Sequence, residues 1–499
     1  MLKMKYMKFI AVGIIALISL SCSDFLDKNP LDQISSETFW QNEQEAKMAL
    51  TGVYSRLRAF TFTHKDTEFD IMAGDVCGNQ GHSIINIAQG NIEPNSGGIV
   101  SYIYSNCYAG ISSCNFFLEN IEKTPISTET LNVYKGEVCF LRALFYFTLT
   151  EHYGGVPLYT SPVTIEEAKV KQSTKEEVVN QILSDLDFAI ANLPDKTYSS
   201  GHAVKGSAMT LKAKVLLHNQ RWQESAEIAD QIIRDGKFSL YNDFRNLFLS
   251  SGQKNNPEII FSTRYLNPDI YSDLDIRWSW HAVVEPRQEL VDAYECADGK
   301  PIDISPLYDP SNWRLNRDPR LLMTIKAFED SVYNSAGQKV GFNYNAVSAT
   351  GYSPVKYCNW DALPINYSTQ SDQDWILLRY ADVLLMYAEA RNEVSGPDAS
   401  VYDAINKVRD RVNMPQLPTG LSKDEMRKRI RNERRVEFAL EGIRWGDIKR
   451  WKTAETYIPT LVDPGGKRRQ FDPAKHYLLP FPQREMDVNK NLIQNPGYN

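Results

Sequence analysis

Three glutamates spaced four residues apart place the strongest constraint on how this chain can fold. Glu433, Glu437 and Glu441 lie in the highly charged segment 431–451. Residues four apart share one face of a helix, where each pair of like charges costs about 0.2–0.5 kcal/mol. The pattern therefore predicts that cations from elsewhere in the chain dock against this stripe. We call the segment 431–451 the clasp and expect it to be structural rather than catalytic.

The apolar residues of the clasp favour burial over the alternative, a solvated charged helix. Gly442 is expected to end a first helix, and a second, short helix then carries Trp445, Asp447 and Trp451. Three charged residues at the edge of an apolar helix upstream are candidates to meet the clasp, with plain solvation as the equal alternative. These candidates are Arg379, Asp382 and Glu389.

Composition excludes some classes of partner. The length of 499 residues allows one large domain or up to three small ones. Hydrophobic and charged fractions of 42% and 23% are those of an ordinary globular chain. A net charge of −7 and a pI near 5.7 argue against a nucleic-acid partner, which requires a basic face.

The amino terminus has the pattern of a secretory signal. Lys3, Lys5 and Lys8 precede an apolar run over 9–20, which is shorter than the roughly 20 residues of a membrane-spanning helix. The run ends in a small residue before Cys22, which resembles a bacterial lipobox, although Ser19 occupies a position usually held by Leu. We expect residues 1–21 to be a lipoprotein signal peptide and Cys22 to be lipidated, with ordinary cleavage as the alternative. Stable anchoring requires more than one acyl chain.

The other six cysteines indicate neither a metal site nor a required disulfide. None forms a CxxC pair or a cysteine–histidine cluster of metal-ligand spacing. Cys107 and Cys114 lie seven apart on one predicted helix face, which favours packing over a bridge. A disulfide is possible in an exported protein, but a chain of this length does not need one.

Apolar periodicity predicts a mainly helical chain with a large interruption. We expect helices over 36–60, 99–121, 128–153, 176–193, 205–218, 222–235, 374–393 and 399–412, and a strand over 259–264. The segment 61–98 is rich in glycine and reads as a long exposed loop. The pair 205–218 and 222–235, with small alanines at the contact, resembles a tetratricopeptide repeat. Residues 36–240 and 374–460 are thus a predicted helical scaffold, and 241–373 a loop-rich, short-stranded insertion.

Several segments together resemble the SusD/RagB family of bacterial outer-membrane lipoproteins. They are CSDFLDKNP after the signal, FLRALFYF…YGGVPL within 140–158, LRYADVLLMYAEARNE at 378–393, the clasp, and YLLPFPQREMDVNKNLIQNPGY near the carboxyl end. They span nearly the whole chain in the family's order. The resemblance implies one domain over 22–499, with four tetratricopeptide-like helix pairs in a superhelical scaffold and an irregular ligand-binding region.

The resemblance also implies a function. It implies a surface-exposed, glycan-binding lipoprotein, anchored through Cys22, that caps a TonB-dependent transporter of the SusC type. Starch-binding members carry aromatic residues in the loop after the early helices. Here the segment 70–100 contains no Phe, Tyr or Trp, which is a departure from the starch-binding pattern.

Two other functional classes compete with a glycan binder. The chain has no P-loop, HExxH or GxSxG motif, so we expect no enzyme. A glycoside hydrolase remains a lesser alternative, because its two carboxylates need only a set separation in space. A tetratricopeptide-like scaffold that binds a protein or peptide is the second alternative, although the secretion signal and the large insertion fit it less well.

Aromatic residues of the insertion are the candidate ligand contacts, because sugars present flat C–H faces ringed by hydroxyl groups. Trp278 and Trp280 alternate with Ser279, so on an extended segment both rings would face one way. The alternative is that the tryptophans pack the insertion onto the helices. The candidate ligand-binding residues are Trp280, Trp278, Tyr271, His281, Trp313, Trp360, Asp75 and Asn79.

An acidic cluster in the insertion is a weaker candidate site, for a metal ion. Asp269, Asp273 and Asp275 are oxygen donors close in sequence that could share a Ca²⁺ ion. No glycine follows at the position that an EF-hand loop requires, so a solvated acidic turn is favoured. We expect no other cofactor.

Overall fold

The computed structural model describes residues 39–78, 83–341 and 348–498. The predicted signal segment, Cys22 and Asn79 therefore lie outside the described residues. Within the described part, no helix is both long enough and apolar enough to cross a membrane.

Helices dominate the described residues, and the strands are short. The α-helices are α1 (Glu43–Tyr54), α2 (Glu68–Ala73), α3 (Ser83–Ala88), α4 (Ile99–Asn120), α5 (Thr128–Tyr153), α6 (Lys175–Asn192), α7 (Lys205–His218), α8 (Trp222–Asp235), α9 (Ser250–Gln253), α10 (Gln288–Ala293), α11 (Arg320–Thr324), α12 (Tyr380–Ser395), α13 (Ala399–Asp410), α14 (Lys423–Glu437), α15 (Arg444–Arg450), α16 (Ala454–Tyr457) and α17 (Gln483–Val488). The strands are β1 (Val76–Gly78), β2 (Ile259–Thr263), β3 (Val284–Pro286), β4 (Ile325–Ala327), β5 (Ser331–Tyr333), β6 (Lys339–Gly341), β7 (Tyr352–Pro354) and β8 (Trp375–Arg379).

The long helices stack side by side to form the scaffold. Each of α4 to α7 packs on the next helix, α8 packs on α12, and α12 contacts both α13 and α14. The short connection 219–221 makes α7 and α8 antiparallel neighbours. Buried alanines let these two helices approach closely, and the Ser225 hydroxyl donates to the carbonyl of Ala213 (2.9 Å). The mainly α architecture of tetratricopeptide-like helix pairs is confirmed.

The insertion is tied to the scaffold by two antiparallel strand pairs. β2 pairs with β8, which joins the two ends of the insertion, and β1 pairs with β3, which joins the early segment to it. β4 pairs with β7 and β5 with β6. The pairs form a support on which surface side chains of the insertion are held.

The prediction of an exposed loop over 61–98 is wrong. This segment contains α2, α3 and β1, and Ile71, Met72 and Val76 are buried in the main core. Gly74 ends α2 with a φ of +81°, a left-handed conformation that glycine adopts without a Cβ penalty. One of the glycines that suggested a loop, Gly74, therefore ends a helix and lies between two buried elements.

Two predicted helix boundaries also need correction. The first helix begins at Glu43 rather than near Ser36, because the Asn42 side chain caps it by accepting the N–H of Glu45 (3.0 Å). The predicted helix 374–393 begins at Tyr380, and the five residues before it form β8. Pairing with β2 overrides the helical pattern there.

The clasp glutamates are buried among cations contributed by distant segments, as predicted. Each glutamate is at most 6% exposed. The pairs are Glu433 with Arg320 (2.6 Å) and Arg409 (2.8 Å), Glu437 with Arg320 (2.9 Å), Arg379 (2.6 Å) and Arg411 (2.5 Å), and Glu441 with Lys356 (2.5 Å) and Arg379 (2.8 Å). The three glutamates do not share one helix, however, because α14 ends at Glu437 and Glu441 lies in the following turn.

The three candidate partners of the clasp all meet it. Beyond the Arg379 pairs, Asp382 accepts from Arg434 (2.8 Å), and Glu389 accepts from the indole N–H of Trp451 (2.6 Å). Burial opposes the charge on Glu437, but the surrounding guanidinium groups outweigh burial and hold its pKa well below the usual range. The clasp is therefore an ionised, buried network that links the insertion, α12, α13 and α14.

Candidate functional site

Three aromatic side chains of the insertion lie together at the surface, and one of them presents an exposed ring. The Tyr367 ring meets Trp280 edge to face at a centroid distance of 5.5 Å and His281 at 5.4 Å. Tyr367 is 66% exposed, whereas Trp280 and His281 are partly buried. We call these three residues the aromatic platform.

The local backbone decides which tryptophan reaches the surface. The residues Ile276–Trp280 form a π-helical turn, so Trp278 and Trp280 do not project to the same side as they would on a strand. Trp278 is only 1% exposed and packs perpendicular to Tyr357 at 6.0 Å. The expectation of a paired Trp278–Trp280 surface is therefore wrong, and Trp278 is a core residue.

The Trp280 ring of the platform packs on a small hydrophobic cluster that Trp360 also contacts. Trp280 and Trp360 are partly buried against the same buried residues. These are Val332, Val355, Cys358, Leu363 and Ile365. Two predicted contacts are thus brought together on one support, separate from the main core of the scaffold.

Two cations lie beside the Trp360 ring. The guanidinium carbon of Arg245 is 4.8 Å from the ring centroid, and Nζ of Lys326 is 5.9 Å from it. Arg245 is held in place by donating to the carbonyls of Lys356 (2.9 Å) and Cys358. Burial lowers the pKa of both Arg245 and Lys326, since each loses water around its charge.

Trp313 belongs to a different part of the insertion. It packs edge to face on Tyr352 at 5.3 Å, at the margin of a second cluster built around Leu290 and Leu321. Tyr271 is 47% exposed and is the neighbour of Ser272, which pairs with Ser371. No ring contact in the described residues joins Trp313 or Tyr271 to the platform.

Asp75 is not available to a ligand. It is 2% exposed, and its carboxylate pairs with Arg435 (2.6 Å) and Arg444 (3.7 Å) of the clasp. The β1–β3 pairing does bring the early segment beside the insertion, but the carboxylate faces cations in the interior. The assignment of Asp75 to the ligand surface is therefore wrong.

The acidic residues proposed for Ca²⁺ do not converge. Asp269 is exposed, Asp273 lies 3.1 Å from Nε2 of His64, and Asp275 is buried with its pKa raised to about 7, mainly by burial. Over the described ranges, no group of three or more His, Cys, Asp or Glu side chains could hold a metal ion. The cysteines in the same ranges are buried and unbridged, which agrees with packing of Cys107 and Cys114.

Sequence reasoning missed Tyr367, Arg245 and Lys326. Tyr367 follows a proline-containing stretch without regular periodicity. Its aromatic side chain is therefore the one sequence signal that could have identified it. Arg245 lies 115 residues before Trp360 in the sequence, and only the folded insertion places the two together. An aromatic surface with nearby imidazole and cationic groups can stack against a sugar face and bind its hydroxyl groups.

Comparisons with known proteins agree with this architecture. A profile of the SusD family matches residues 253–498, and one described as starch-binding, associating with the outer membrane, matches residues 24–217. SusD-like protein P2 of Formosa agariphila is 28% identical, with 98% of this chain and 100% of that protein covered.

Solved structures share the fold over nearly the full length. A SusD-like carbohydrate-binding protein of Bacteroides fragilis has a TM-score of 0.81 at 27% identity, covering 91% of this chain and 100% of that one. A laminarin-binding SusD-like protein has a TM-score of 0.73 at 24% identity, covering 92% and 100%. The chain belongs to the SusD/RagB family of carbohydrate-binding proteins associated with the outer membrane.

Proposed function

We propose that this chain is a cell-surface lipoprotein that captures oligosaccharides and delivers them to a SusC-like TonB-dependent transporter. The exposed Tyr367 ring, fixed by edge-to-face contacts to Trp280 and His281, carries the proposal. Ring burial against a sugar face contributes about 0.5–1.5 kcal/mol beyond the buried area, by analogy with other aromatic contacts. A site with few such rings would bind weakly at each contact and suit capture and release.

Incubation of the purified protein with a panel of glycans tests binding against the alternatives. We expect retardation of the protein in gels that contain the right glycan, with no new reducing ends in solution. Release of product would identify a glycoside hydrolase. Absence of both retardation and product across a broad panel would remove the glycan proposal and favour a protein-binding scaffold.

An apolar face beside Phe39, the first described residue, supports a transporter as partner. Exposed apolar side chains line two adjoining grooves of about 660 and 430 Å³ that meet at Ser112. We call these side chains the apolar face: Met48, Phe116, Val163, Ile165 and Val488. Exposed patches of this kind mark interaction surfaces.

The small number of residues between Cys22 and Phe39 favours a partner in the same membrane. Phe39, the first described residue, lines the groove with Met48 and Phe116. A chain extends by at most about 3.6 Å per residue, so a lipid on Cys22 lies within about 60 Å of this groove. We therefore assign the apolar face to the SusC-like transporter.

Recovery of the transporter with the tagged protein from detergent-solubilised outer membranes tests this assignment. Phe116→Asp places a charge in the face and should reduce recovery of a TonB-dependent barrel protein at least fivefold. Ile304→Asp is the matched control, because Ile304 is 65% exposed and lines neither groove. Equal recovery with both variants would contradict the assignment.

A further inference from the structure

Charges around the Trp360 ring define the chemistry of a ligand that contacts it. Arg245, Lys326 and Arg314 are the cations there, since Arg245 and Lys326 lie beside the ring, and Lys326 is acted on electrostatically by Asp330 and, less strongly, by Arg314. One nearby carboxylate, Asp330, is already paired with Arg314 (2.9 Å) and accepts the N–H of Ala327 (3.0 Å). Three cations are therefore grouped there with two carboxylates, Asp330 and Asp361, and Asp361 accepts the backbone N–H of Ser335 (2.6 Å).

Lys326 is the cation beside Trp360 whose ammonium group can pair with a charged group of a ligand. No carboxylate among the described residues lies within 4.0 Å of its ammonium group. The side chain is partly buried on β4, between two residues that point into the hydrophobic interior, Ile325 and Ala327. At 5.9 Å from the Trp360 centroid, Nζ of Lys326 lies farther from the ring than the guanidinium carbon of Arg245 does, at 4.8 Å. A group on a ligand that touches the ring can reach this ammonium.

Arg245 contributes positive charge without an ion pair of its own. Its donors go to backbone carbonyls, and Asp243 and Asp275 influence it without approaching to ion-pair distance. Burial raises the pKa of Asp275 to about 7, so that carboxylate is only partly ionised at neutral pH. The positive potential at Trp360 is therefore only partly neutralised by the groups around it.

We propose that the glycan bound on this surface is acidic, with carboxylate or sulfate groups that pair with Lys326 while a sugar ring contacts Trp360. This inference rests on the glycan-binding function proposed above and names its substrate class. The net charge of the chain is −7, so general attraction of polyanions does not account for such binding. Binding of an acidic glycan must therefore depend on the cations around Trp360.

Matched pairs of polymers test the proposal through affinity gels and calorimetry. Polygalacturonate is compared with its methyl-esterified form, and dextran sulfate with dextran, which separates carboxylate from sulfate recognition. We expect one acidic member to bind at least tenfold more tightly than its neutral partner. Its affinity should fall several-fold when salt is raised from 0.05 to 0.5 M, because salt screens the pairing.

Variants separate the site from general charge. Lys326→Gln should weaken binding of the acidic polymer at least fivefold, with the melting temperature unchanged. Lys171→Gln is the control, because Lys171 is an exposed scaffold lysine and the charge change is the same. Equal loss in both variants, or tighter binding of the neutral polymers by the wild type, would overturn the acidic assignment while leaving glycan binding intact. Binding of no glycan at all would overturn both proposals.

Discussion

At Glu437, guanidinium groups from three segments far apart in the sequence converge on one buried carboxylate. Arg320 comes from α11, Arg379 from the end of β8 and Arg411 from the end of α13. The four-residue spacing of the glutamates predicted burial against cations, because exposed like charges on one helix face repel one another. It could not name Arg320 or Arg411, since such pairs depend on the folded path of the insertion.

Replacement of Glu437 tests the stability of this network. Glu437→Ala leaves three buried guanidinium groups short of a counter-charge, so the free energy of unfolding should fall by about 3–5 kcal/mol. Chemical denaturation measures the loss. Glu176→Ala, at an exposed position in the first turn of α6, should change stability by less than about 0.5 kcal/mol. A Glu437→Ala variant with unchanged stability that no longer binds glycan would show that the clasp is a binding site.

Short elements of the insertion decide which candidate residues are exposed. The alternation of Trp278, Ser279 and Trp280 predicts a strand, but the segment forms a π-helical turn that buries Trp278. Similarly, the helical pattern over 374–393 includes β8, whose pairing with β2 is a long-range contact. By contrast, the bounds of α5, α7 and α8 match the predictions, because each has strong helical periodicity and clear ends.

The turn preceding Trp280 should give the protein a specific pH dependence. Burial raises the pKa of Asp275 from 3.8 to about 7, so the folded state holds this proton more tightly than the unfolded state. The contribution of Asp275 to the free energy of unfolding is therefore fully present below pH 4. It is lost as pH rises towards 7, at no more than about 1.4 kcal/mol per pH unit. Asp275→Asn keeps an acceptor oxygen but cannot ionise. The free energy of unfolding of this variant should therefore rise relative to that of the wild type between pH 5 and 8. Parallel urea-denaturation midpoints across that range would contradict the shifted pKa.

The described part of the molecule combines a helical scaffold with an insertion that carries the aromatic platform. The order of the long helices was predictable from periodicity and from the family resemblance. The folded state of the segment 61–98 was not, because its glycines read as a loop while Ile71, Met72 and Val76 are buried by distant elements. The platform was only partly predictable, since Tyr367 joins Trp280 through contacts between loops.

The proposed lipid anchor yields a prediction at the scale of the cell. Cys22→Ala removes the proposed lipid attachment without touching the described domain, so the variant should fold normally but leave the membrane fraction. Fractionation followed by immunoblotting measures the distribution, and the melting temperature of the released protein checks its fold. Retention of the variant in membranes that lack the transporter would contradict anchoring through Cys22.

The central claim is that the aromatic platform binds glycan, and the affinity of Trp280→Ala for a retained glycan tests it most directly. We expect at least a tenfold loss, about 1.4 kcal/mol, with the fold intact, and a comparable loss for Tyr367→Ala. Trp222→Ala, which alters a partly buried scaffold residue at the start of α8, should lower the melting temperature and leave the affinity unchanged. Wild-type affinity in folded Trp280→Ala and Tyr367→Ala proteins would place the binding site elsewhere.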